Sequence, residues 1–65
     1  MNKNYLVSYF HWIDGKSSGF GNIVIGEAEN EDIYTVKEIN EIEKTIIAKN
    51  KFSGCSILNI IPLND

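Results

Sequence analysis

Few side chains in this 65-residue chain can do acid–base or covalent chemistry. His11 is the one imidazole and Cys55 the one thiol. A cysteine nucleophile needs a base within hydrogen-bond reach. His11 and Cys55 fall in segments expected to be neighbouring strands, but the sequence does not put them on one face. A lone cysteine more often behaves as a small buried hydrophobe. A metal centre would need His11 joined by carboxylates at ligand spacing, and that spacing is missing. Glu29, Glu31 and Asp32 could meet a hard cation, yet their spacing is not that of a calcium loop, and a solvated acidic connection is the simpler account. The segment from Ser17 to Asn22 looks superficially like a phosphate loop. Such loops lead into a helix N-terminus, whereas this one leads into a strand. The residues therefore predict a non-enzymatic chain with no metal and no cofactor.

Length and charge narrow the classes further. A chain of this size is one small domain, 1–65. Area scaling leaves about 60% of the unfolded surface buried. Burial at ~25 cal/mol/Å² supplies roughly 100 kcal/mol, and ordering the chain opposes it with about the same amount. Self-association or a bound partner is expected from so thin a margin. Hydrophobic residues make up 43% and charged residues 23%, too apolar for disorder. No apolar run is long enough for a membrane span, and no secretory signal opens the chain, so a reducing cytoplasm is the expected compartment. Between Glu27 and Glu43 seven acids face Lys37 alone, and the net charge is −3. That balance argues against a nucleic-acid backbone as partner.

The elements that must position these groups are legible. Tyr5 to Ile13 is dense in aromatic and β-branched residues, a strand apolar on both sides and hence central. Asp14-Gly15-Lys16-Ser17 supplies turn chemistry, and a second strand runs from about Gly19 to Glu27. Gly19 and Gly21 around Phe20 suggest a bulge or a close backbone approach. Thr35 with Glu38 forms a capping box, flanked by Tyr34 and Ile39 as a hydrophobic staple. The helix should run from Val36 to about Lys49, with Val36, Ile39, Ile42, Ile46 and Ile47 as its buried stripe and Asn50 as a left-handed stop. Cys55 to Ile61 is a third strand, ended by Pro62. The right-handed crossover rule gives an α+β fold of order ββαβ: a three-stranded antiparallel sheet, strands 2-1-3, with one helix on one face.

One helix covers one face. A four-residue turn would put Phe10 opposite Gly21 and Ser8 opposite Ile23, with Leu6, Phe10, Ile23, Ile25, Leu58 and Ile60 toward the helix. The open face would then carry Tyr5, Val7, Tyr9, His11, Val24, Ile57 and Ile61, with Asn22 and Asn59. Trp12 joins this set as a packed edge residue or an interface anchor. An uncovered apolar face of this kind marks an interaction surface. Homo-oligomerisation is the plainest use of it; a host protein or a small nucleotide ligand is the other. Exposed rings on a small sheet also suit weak binding of single-stranded nucleic acid, but the basic flanks are absent.

Tyr5-Leu-Val-Ser-Tyr, Gly19-Phe-Gly-Asn-Ile-Val-Ile, the capped helix and the closing Ile57-Leu-Asn-Ile-Ile-Pro-Leu together resemble very short proteins encoded by phages and prophages of low-GC Gram-positive bacteria. The resemblance implies action by binding: occluding a host protein, blocking an immune effector or sequestering a nucleotide signal. A structural or assembly role with no host target is the alternative.

Overall fold

The computed structural model describes residues 2–28 and 31–64. Strand β1 spans Asn2–Ile13, β2 Ser17–Ala28 and β3 Gly54–Pro62, with helix α1 at Val36–Asn50 between the last two. The sheet order is β2-β1-β3, and both pairings are antiparallel. The expected α+β architecture and strand order are therefore those of the protein. The helix lies closest to β3. The radius of gyration is 12.3 Å, against about 10.7 Å for a compact chain of this length; long strands covered on one side account for the excess.

The hairpin departs from expectation by one residue. Ile13 pairs with Ser17, so the loop is Asp14-Gly15-Lys16. The Lys16 N–H donates to the Ile13 carbonyl at 3.0 Å, and Gly15 takes φ 72° at the position where a type II turn requires a positive value. Phe10 accordingly stands opposite Phe20 and Ser8 opposite Asn22, not opposite Gly21 and Ile23. A one-residue change turns every side chain of a strand to the other face. Ile23, Ile25 and Ile60 face the helix, as expected. β1 is reversed.

The core is Tyr5, Val7 and Tyr9 of β1 with Ile42 and Ile46 of α1, Cys55 of β3 and Ile33 from the connection. Tyr5 meets Tyr34 edge-on at 6.0 Å. The helix begins as predicted, with the Glu38 N–H donating to Thr35 Oγ1 at 3.1 Å. Its stop falls one residue later than expected: Lys51, not Asn50, is left-handed at φ 58°, ψ 39°. Asn50 instead donates from its side chain to the Ile46 carbonyl. Val36 is exposed, so the buried stripe is narrower than its spacing suggested.

Candidate functional site

The sequence-derived site divides between two surfaces. Tyr5, Val7, Tyr9, His11 and Ile57 lie on the helix side: the first three are buried, His11 stacks on Phe52 at 4.0 Å, and Ile57 packs against the core. The three-residue loop corrects the expected open-face placement of the four β1 residues, and the register shift between Asn59 and Ile57 corrects that of Ile57. Trp12, Asn22, Val24, Asn59 and Ile61 do occupy the face away from the helix. They are joined there by Leu6 and Phe10, which the longer loop had turned inward, and by Ser8 and Phe20.

Burial explains the inversion. Under the helix, the Tyr9 ring lies across Gly21, where an added Cβ would come within 2.7 Å of it. Gly21 makes room for the Tyr9 ring, in the place where Phe10 was expected. On the opposite side, the Trp12 ring fills the space a Cβ on Gly54 would need. Both are close approaches of the kind Gly19 and Gly21 had suggested.

The open face is continuous and aromatic. Phe10 lies 5.3 Å from Phe20 and 6.0 Å from Trp12, ring centre to ring centre. Phe20 is 76% exposed, Val24 57% and Ile61 43%. Between them the Ser8 hydroxyl donates to Asn22 Oδ1 at 2.8 Å. The face carries no charged side chain among the described residues. Lys3 and Glu27, the charged residues of β1 and β2, are cross-strand partners on the helix side. Leu58 does not face the helix as its alternation with Ile60 suggests: it stands at the register shift of β3 and is exposed.

Other clusters are chemically quieter. A cavity of about 300 Å³ opens between Tyr34, Ile39 and residues 57–60 of β3, without a basic side chain to hold phosphate. Glu27, Glu31 and Glu38 bring carboxylate oxygens within 4.8 Å of one another. Loss of solvent, then repulsion from Glu38 and Glu31, raises the Glu27 carboxyl above its ordinary 4.5. Asp32 accepts the Tyr34 N–H instead of joining them, and Glu29 lies outside the described residues.

His11 and Cys55 are directly opposed on β1 and β3, so the shared face the sequence left undecided exists. The thiol nevertheless points to the Glu43 carbonyl, 3.8 Å away. Burial and then Glu43 push its pKa up, whereas a reactive cysteine needs it lowered. His11 Nδ1 is buried without a hydrogen-bond partner.

No helix among the described residues is long and apolar enough to cross a membrane. Comparison with protein-family models, with curated proteins and with solved structures gives no match to this chain.

Proposed function

We propose that this chain is a non-catalytic binding protein of phage type that acts in the cytoplasm by laying the open sheet face against a host protein, a component of host defence, and occluding it. The observation that carries the reading is the uncharged face on which Trp12, Phe20, Val24 and Ile61 are exposed around the half-buried Phe10. Monomeric soluble chains rarely leave such rings contiguous and uncovered unless a partner takes them. Uncharged aromatic anchors are the composition of an interface centre, and the Ser8–Asn22 pair leaves its own hydrogen bond satisfied among them. A protein partner is favoured over a nucleotide signal because neither this face nor the groove beside Tyr34 offers a cation to a phosphate.

Cells expressing the wild-type chain and cells expressing a Phe10→Ser/Ile61→Ser double variant, matched for folded protein, are challenged with phage across a panel of defence systems. The proposal expects at least one defence to be relieved by the wild type and not by the variant. Relief that persists unchanged in the variant, or none with either protein, would count against it.

A further inference from the structure

We propose that the outer edge of β2 is a self-pairing surface, on which a second copy of this chain adds its own β2 to make one continuous six-stranded sheet. The inference does not depend on what the open face binds.

The two sheet edges are built differently. β3 is protected by a register shift, by Pro62 and by side chains that occupy its outward amides. The Ile57 N–H donates to Glu43 Oε2 at 3.2 Å, and the Ile60 N–H to Asn59 Oδ1 at 3.0 Å. Among the described residues, β2 has none of these devices. It runs for 12 residues in unbroken register, without proline or lysine, at the edge away from the strand the helix packs on. A long edge without such protection is a template for another strand.

Backbone direction fixes which groups are offered. The Asn4 carbonyl accepts from Leu63 N–H at 2.8 Å and the Trp12 carbonyl from Ser53 N–H at 2.9 Å. Even-numbered residues of β1 thus address β3, and odd-numbered ones address β2. In the observed register, Ser18, Phe20, Asn22, Val24 and Gly26 aim their N–H and C=O groups outward. Ala28 does too, but its carbonyl already accepts from Glu31 N–H at 3.0 Å.

An isologous pair places the same strand on both sides of a twofold axis. Directly opposed residues must share a face, so the axis passes through a residue position. Centring it on Asn22 uses every free outward group and leaves Ala28 unneeded. Phe20 then meets Val24 of the second copy, an aromatic against a β-branched residue. Glu27, the one acid in β2, meets Ser17 of the second copy and not another acid. Both helices fall on one side, and the two open faces join into one surface.

The full-length chain is weighed by light scattering at micromolar concentration. The proposal expects twice the 7.4 kDa chain mass. Val24→Pro removes an outward N–H without touching the ladder to β1, so it should give a folded monomer by circular dichroism. Asn22→Cys should yield a disulfide-linked dimer on mild oxidation, because narrow antiparallel pairs hold Cα atoms about 5.5 Å apart, within disulfide reach. If the proline variant does not fold, the cross-link decides. A monomeric wild type, or a dimer that resists Val24→Pro and forms no Asn22→Cys cross-link, overturns the proposal.

Discussion

Tyr9 and Gly21 face one another across β1 and β2, and the tyrosine ring occupies the place where residue 21 would carry its Cβ. The ring is itself buried and lies 6.3 Å from Phe52, so it has little room to retreat. Gly21→Ala should destabilise the fold by about 1–3 kcal/mol through overpacking. Thermal unfolding of Gly21→Ala, Tyr9→Leu and the double variant checks this: the alanine should cost much less once the ring is gone.

The helix stop makes a prediction of opposite sign. Lys51 holds a left-handed conformation that costs a non-glycine residue roughly 1–2 kcal/mol. Its side chain is exposed. Lys51→Gly should relieve part of that cost and raise stability by up to about 1 kcal/mol, some of the gain being offset by the greater freedom of glycine in the unfolded chain. Denaturant midpoints of the two proteins measure it. Thr35→Ala, which removes the acceptor for Glu38 N–H, should lower stability by about 1 kcal/mol.

The acidic cluster predicts a pH dependence. Because the fold raises the Glu27 pKa, the native chain holds that proton more firmly than the unfolded one. The associated stability is fully present below the ordinary value and is lost as pH rises through the raised one. Glu27→Gln should therefore melt higher than the wild type at neutral pH, and the difference should close as the solution is acidified. Melting curves across that range decide it.

Core and open face should respond differently to truncation. Ile46 is fully buried beneath the sheet, and Ile46→Ala should cost about 2–5 kcal/mol. Phe20→Ser removes an exposed ring and should leave monomer stability within about 1 kcal/mol, as surface substitutions do. Chemical denaturation of both variants separates the buried set from the available one.

The elements were readable because each had a local cause. Thr35 and Glu38 mark the helix start, the isoleucine spacing marks its face, and the doubly apolar β1 marks the centre of the sheet. The face assignment of β1 had no such cause. Tyr5, Val7 and Tyr9 alternate with Leu6, Ser8 and Phe10, so both parities look fit for a core, and the orientation hung on one residue of loop length. Two signals in the sequence do point to the observed face. Gly19 and Gly21 share the parity of Ile23 and Ile25, and they suit a layer where Tyr9 and His11 must be accommodated. Lys3 and Glu27 share that parity too, leaving the other side free of charge. Ile33 and Phe52, both outside regular elements, were invisible to periodicity, although Ile33 is fully buried and Phe52 carries the His11 stack.

A photo-reactive residue at position 10, on the central strand and away from the β2 edge, tests the binding account most directly when compared with the same residue at Lys44 on the exposed side of the helix. The account predicts that position 10 forms a covalent adduct with a foreign protein in cells and that position 44 does not. Adducts from position 44 with none from position 10 would contradict it.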